Sequence, residues 1–265
     1  SKDCEVYESL DASAPSHVIG FHDGVMVSDV ADYTRWRHLR GTDAAFVWRS
    51  GLKHDCSRVM ELERVPSSRR NGFGEVVDIE DHYVFPLFKS SDLGGKELRQ
   101  ARKEVIVTQQ WVGQDTSEIK TKAPKTWSYL NKNASYLDAR GSIIYRNKPK
   151  YSIFGVGDYT FTDWKVAISG FYKNVNFKII GPISGKPAIV DDTVYFLPCY
   201  DEKEARWLAA MLNSKPAHDF ISSMIFLLDK RPITIDLLKR LSIAALATEL
   251  GCQEDYGKFS NRREY

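Results

Sequence analysis

The stretch FGVGDY, Phe154 to Tyr159, has the residue types of a cofactor loop. Closely spaced glycines let a backbone approach a phosphate or a nucleoside, as in the nucleotide pattern G-x-G-x-x-G or the F-x-G-x-G opening of methyl-donor sites. The spacing fits neither. The third nucleotide glycine would fall on Thr160, and the methyl-donor pattern needs one more residue between Phe154 and Gly155. The glycines also run into TFTDWKVAISG, whose β-branched and aromatic residues read as strand rather than as a helix facing an anion. A glycine turn between two strands is the expectation, with no cofactor held by this chain.

Three acidic or metal-ligating groupings remain. HDC, His54 to Cys56, puts three possible ligands in a row, but adjacent side chains cannot converge on one ion, and no second cluster stands at zinc spacing. TDWK, Thr162 to Lys165, holds an acid-x-Lys pair of the kind that binds magnesium and activates water in nucleases, with Asp138 or Asp158 as the further acid. Lys165 enters an apolar strand, where its stem is expected to snorkel. Asp191 and Asp192 are neighbours on a strand and point to opposite faces, so they make no dyad by themselves. There is no G-x-S-x-G elbow and no G-x-x-x-x-G-K phosphate loop. No metal site is expected.

These residues sit in a chain of 265 residues with 43% hydrophobic and 12% aromatic content, the composition of a folded globular protein. No apolar run approaches the roughly 20 residues of a membrane span, and no secretory leader begins it. Cys4, Cys56, Cys199 and Cys252 lie far apart with no C-x-x-C pair, which suits a reducing cytoplasm. The net charge of +2 hides a strong asymmetry. Residues 1–34 hold one base and seven acids, residues 35–150 hold 22 bases and 14 acids, and the remainder is balanced. Within 120–150, eight bases face Asp138 alone, interleaved with Trp127, Tyr129, Tyr136 and Tyr145. Cations among aromatics suit a nucleic-acid backbone, although Trp127 and Leu130 belong to a core-facing stripe.

The elements that must position these residues follow from the apolar pattern. Asp23-Gly24 between VIGFH and VMV reads as a hairpin turn, and DYTRWRHLRG, with Arg35, Arg37, His38 and Arg40, reads either as a phosphate contact or as a first surface helix. AFVW, RVMELE, EVVDI, YVFPLF and EVIVTQQW read as strands. So do GSIIY, YSIF, WKVAIS, FKII and AIVDDTVYFLP. Between these sets, Pro124 opens a helix with Trp127, Leu130, Ala134 and Leu137 on one face. Asp201 with Glu204 predicts a capped helix, Ser214-Lys215-Pro216 starts a second, and Thr234 caps a third. The tail after Gly251 is polar and expected to fray. The fold class is α+β: an acidic N-terminal arm and hairpin (1–34), a β-rich region with an inserted helix (35–200), a C-terminal cluster of helices (201–250) and a polar tail (251–265).

Several stretches together resemble one known family in collinear order. They are WRSGLKHDCSRVMEL from Trp48, YVFPLFKSSDL from Tyr83, YSIFGVGDYTFTDWKVAISGFYK from Tyr151, DDTVYFLP from Asp191, LAAMLNS from Leu208 and DKRPIT from Asp229. They are similar to the C-terminal target-recognition region of bacterial adenine-N6 DNA methyltransferases of restriction–modification systems, a family that includes enzymes which both cut and methylate. The resemblance covers about residues 46–245. It implies a sequence-specific DNA-binding domain without catalysis of its own. The catalytic domain, with its N-P-P-Y motif for a flipped adenine and its S-adenosylmethionine site, would lie in an upstream domain or subunit. Neither motif occurs in this sequence. The residues expected at the DNA are Arg49, Lys53, His54, Lys89, Ser90, Arg140, Arg146 and Lys148, with Gln109 and Gln110 as base readers and Lys230 and Arg231 in the last motif. Duplex DNA and a methyltransferase domain or subunit are the expected partners. Two other readings stand beside this one: a magnesium-dependent nuclease using Asp163 and Lys165, and a docking module whose acidic arm meets a basic methyltransferase surface. Asp163 stands where members of the family often carry another residue, which counts against the nuclease.

Overall fold

A computed structural model describes residues 3–7, 15–226 and 228–263 of the chain. The first strands are β1 (Cys4–Val6), β2 (His17–His22) and β3 (Val25–Val27). Asp23 and Gly24 both take positive φ, 50° and 76°, as a two-residue hairpin turn requires, and fix the register His22↔Val25. Then come β4 (Arg49–Ser50), β5 (Glu61–Val65), β6 (Ser68–Arg70), β7 (Val76–Val77), β8 (Val84–Phe88) and β9 (Lys103–Ile106). A helical insertion follows at Ile119–Lys122, Pro124–Lys132 and Ala134–Asp138. The strands resume as β10 (Trp164–Ser169), β11 (Lys178–Ile180), β12 (Ile189–Val190) and β13 (Val194–Cys199).

These strands form three sheets, ordered β1-β2-β3, β11-β10-β13-β4 and β12-β8-β9-β5-β6-β7. Every pairing is antiparallel except that of β12 with β8. The four-stranded sheet divides the interior. Alternation sends Val166, Ile168, Tyr195 and Leu197 to one face, where Leu208, Phe220 and Leu246 of the C-terminal helices cover them together with Val27, Tyr33 and Trp36 from the N-terminal segment. Ala167, Val194 and Phe196 face the other way, against Phe88 and Val190 of the large sheet. A further cluster, with Leu62, Val84 and Ile106, packs under Ile119, Leu130 and Leu137 of the inserted helices. The fold is α+β.

The helices begin where their caps allow. Asp29 accepts from Asp32 N at the head of Val30–Trp36, Asp201 from Glu204 N before Glu202–Leu212, and Thr234 from Leu237 N before Ile235–Leu238. Glu204 closes no reciprocal box with Asp201. Its carboxylate, fully buried, takes Tyr200 N at 2.7 Å and the guanidinium of Arg263 instead.

Several expected strands are not formed. In AFVW, Phe46 and Trp48 are buried in an irregular segment that packs with the C-terminal helices. GSIIY forms a 3-10 turn at Ile143–Tyr145, and YSIF contributes a single bridge, Lys53↔Phe154. The frayed tail is replaced by a helix, Gln253–Ser260, anchored by buried Phe259.

Candidate functional site

The geometry of the site starts at Gly51–Lys53, a segment threaded between two parts of the β structure. On one side Gly51 N donates to Val194 O and Leu52 N to Val190 O. On the other, Lys53 and Phe154 exchange both backbone hydrogen bonds, at 2.8 and 2.9 Å. Gly155 follows with φ of 65°, and a Cβ there would stand 2.2 Å from the Gly51 carbonyl oxygen. The FGVGDY glycine is therefore a close-packing residue with a left-handed backbone. It lets the chain press against Gly51 and so fixes where Lys53 and His54 emerge.

They emerge at a cleft of about 490 Å³ lined by His54, Asp55, Glu61, Lys89, Ser90, Asp191 and Asp192, with Phe171 and Tyr172 on its wall. Its centre is the buried carboxylate of Glu61. Lys89 Nζ donates to it at 2.7 Å, Lys103 Nζ at 2.9 Å, and His54 Nε2 stands at 3.5 Å. Burial alone would raise the Glu61 carboxyl. The hydrogen bonds from His54, Lys89 and Lys103 outweigh that and hold it well below the usual carboxylate range. Burial wins at Asp191, whose carboxyl is pushed up despite the Thr193 hydroxyl and Lys89, 3.8 Å away. Lys53 lies 2.8 Å from Asp55 and 3.5 Å from Asp192. The floor thus interleaves four bases with four acids.

Local structure sets these positions. Asp92 accepts from Lys89 N at 2.9 Å and starts the helical turn Ser90–Leu93, which aims the Lys89 stem across the cleft. Ser90 is buried and donates to Thr193 O at 2.8 Å. His54 Nδ1 accepts from Cys56 N, which turns Nε2 toward Glu61.

Beside the floor stands a set of exposed cations. Tyr145 reaches Lys53 O with its hydroxyl, 3.3 Å away, and leads into exposed Arg146 and Lys148. Phe171 and Tyr172 lead into exposed Lys173, and Arg231 lies 4.9 Å over the Phe171 ring with Lys230 next to it. Arg146, Lys148, Lys173, Lys230 and Arg231 form no ion pair among the described residues.

The other expected residues divide differently. Arg140 is a structural clamp, stacked 3.7 Å over Tyr145 and donating to the carbonyls of Leu137, His54 and Ser152. Gln109 is buried. Its amide donates to Gln114 O and accepts from Ile153 N, so it is not available to read a base, whereas the neighbouring Gln110 is exposed. Arg49 stacks 4.5 Å over Tyr159 in a different groove of about 580 Å³, which Trp111 and Tyr200 also line. Three of the eight bases in 120–150 are matched by nearby acids: Lys122 pairs with Glu118, Lys125 with Asp78 and Lys132 with Glu75.

The acid-x-Lys pair does not assemble as a metal site. Lys165 is fully buried and does not snorkel; its ammonium donates to Thr162 O, and burial pulls its pKa down to about 7. Asp163 is exposed, and among the described residues no three His, Cys, Asp or Glu side chains gather to hold an ion. Sequence reasoning missed Glu61, Lys103, Phe171 and Tyr172. RVMELE reads as an ordinary strand, and nothing in the sequence marks Glu61 as a paired charge, because its partners Lys89 and Lys103 lie 28 and 42 residues away.

No helix among the described residues is long and apolar enough to cross a membrane. No known protein-family profile matches the chain. A solved structure of the type IIL restriction–modification enzyme MmeI in complex with DNA aligns with 86% of this chain and 30% of that one, at a TM-score of 0.46 and 13% identity. The type II methyltransferase M.NspV of Nostoc sp. is 45% identical over 244 residues, which is 92% of this chain and 51% of the relative. The protein is thus homologous to part of a type II methyltransferase and spans about half of that relative's length.

Proposed function

We propose that this chain is the target-recognition part of an adenine-N6 DNA methyltransferase of a restriction–modification system, binding duplex DNA at the Glu61 cleft. The observation that carries the reading is the arrangement of charge. Fixed, mutually neutralised groups form the floor, and unpaired cations from two separate segments, Arg146–Lys148 and Lys230–Arg231, stand beside it. Flanking cations suit phosphates, which set register. Rigid polar groups on a floor suit base edges, which carry sequence. The homology to a type II methyltransferase agrees with this role. The flipped adenine and S-adenosylmethionine would be handled by a catalytic domain outside this chain, and the whole would work in the cytoplasm. FGVGDY supports that division, because Gly155 is filled by the Gly51 backbone and leaves no room there for a nucleoside.

The test is a fluorescence-anisotropy titration of a mixed-sequence duplex over a range of salt concentrations. Affinity falls linearly in log–log form as salt rises, and Arg146→Ala with Lys148→Ala reduces the slope by about 0.9 for each phosphate that is no longer neutralised. Absence of affinity at low salt overturns the reading and favours a module that only docks a methyltransferase partner.

A further inference from the structure

Ile143 is an apolar side chain that belongs to none of the three core clusters among the described residues. It is 70% exposed, at the start of the 3-10 turn Ile143–Tyr145. Exposed single aliphatics are common on protein surfaces, and alone this one would mean nothing. Two further features single it out. The first is rigidity: Tyr145 packs edge-on to Phe154 at 5.3 Å, under the Arg140 guanidinium, which is bonded to three carbonyl groups. A well-held turn thus projects Ile143 outward. The second is charge. Residues 139–150 contain Arg140, Arg146, Lys148 and Lys150 and no acid, and the last three are exposed.

An aliphatic tip on a cation-only turn calls for a partner that is polyanionic outside and apolar within reach. Stacked bases between two phosphate strands offer both, and aliphatic side chains that enter such steps unstack them. We propose that Ile143 is a wedge that enters a base step of the bound duplex while Arg146, Lys148 and Lys150 hold the flanking phosphates. The inference rests on the DNA-binding reading above and adds to it a deformation of the duplex and the residue that causes it. The wedge lies next to the cleft, since Tyr145 of the same turn touches Lys53 O. Unstacking therefore falls beside the bases that the floor would read.

The full chain is titrated with a matched mixed-sequence duplex and with the same duplex carrying one T·T mismatch, whose step is already loosened. A wedge favours the loosened step, because part of the unstacking cost, a few kcal/mol per step, has been removed, and the preference expected is about tenfold. Ile143→Ala and Ile143→Ser abolish the mismatch preference, so that both duplexes bind alike. The triple change Arg146→Ala, Lys148→Ala, Lys150→Ala weakens both duplexes alike and lowers the salt slope by about 2.7. Equal binding of both duplexes by the unaltered protein, or a preference that survives Ile143→Ala, overturns the wedge and leaves DNA binding standing. No binding to either duplex at low salt overturns the DNA reading itself. Binding to phosphatidylserine vesicles that Ile143→Ala removes, with duplex binding unchanged, assigns the turn to a membrane surface and also overturns the wedge.

Discussion

Lys165→Met is the substitution whose effect can be worked furthest. Lys165 has no solvent exposure, its ammonium donates to Thr162 O, and the Phe196 ring lies 5.9 Å away. Burial pulls its pKa from 10.5 to about 7, the exposed Asp163 opposing that only in part. Between these two values the unfolded chain binds more protons than the folded one, so stability rises with pH across the window. The two pKa values correspond to a cost of about 4 kcal/mol at pH 7 and about 2 kcal/mol at pH 9. Methionine fills a similar volume without the charge. Its loss of the bond to Thr162 O costs about 1 kcal/mol, so the variant gains about 3 kcal/mol at pH 7 and about 1 at pH 9. Urea unfolding at pH 7, 8 and 9 measures this. The range stops at 9 because Cys199, whose thiol burial pushes up to about 12, opposes the trend above that point. A variant that unfolds with the same pH dependence as the parent, or is less stable at pH 7, would refute the account of Lys165 as a buried, readily neutralised amine.

The cleft and the glycine contact give two further outcomes. Glu61→Gln removes the negative charge shared by Lys89 and Lys103 and one of the two oxygens that accept from them, and lowers stability at pH 7 by about 2–4 kcal/mol, measured by urea unfolding. Because the folded carboxyl lies below its ordinary 4.5, its contribution is complete above that pH and is lost as pH falls, so parent and variant converge in acid. Gly155→Ala forces a side chain into the left-handed region and against the Gly51 carbonyl, 2.2 Å from the new Cβ; a loss of about 3 kcal/mol or more follows, visible in a thermal melt. A melt unchanged by that substitution would mean that the two segments are not pressed together.

What could be read in advance was what a few neighbouring residues decide. Asp23-Gly24 is sufficient for its hairpin, and Asp201 and Thr234 cap helices through bonds to amides three residues on. The α+β class follows from such local signals. The cleft does not, because its bonds are long-range: Glu61 meets Lys89 and Lys103 at separations of 28 and 42 residues. Of the expected contact residues, His54, Lys89 and Ser90 line this one cleft and Lys53 pairs with its Asp55 and Asp192, while Arg140 and Gln109 have donors engaged by the backbone. Residue type shows what a side chain can bond, and tertiary packing determines whether backbone has already taken it. The tail failed for a related reason. Tyr256 and Phe259 are three residues apart on a helix face, but the surrounding polar residues mask a stripe so short.

The pairing of the cleft floor bears on how recognition would work there. Lys89 and Lys103 share one carboxylate, so neither is free to act as a simple attractor of phosphate. A DNA backbone reaching the floor would have to displace Glu61, leaving a buried anion uncompensated, which costs several kcal/mol. Base edges make no such demand. A base can donate to Asp192 or Asp55, or accept from a lysine that still keeps its carboxylate, because an ammonium carries three protons. On the proposed reading, attraction and discrimination are therefore divided between the flanking turns and the floor. The two respond to different changes: neutralising Arg146 or Lys230 weakens binding to every sequence alike, whereas Asp192→Asn alters which sequence is preferred with little change in salt slope. Selection from a randomised duplex pool before and after Asp192→Asn reads this directly. An unchanged consensus with a changed salt slope would place Asp192 among the groups that sense phosphate and would undo the division.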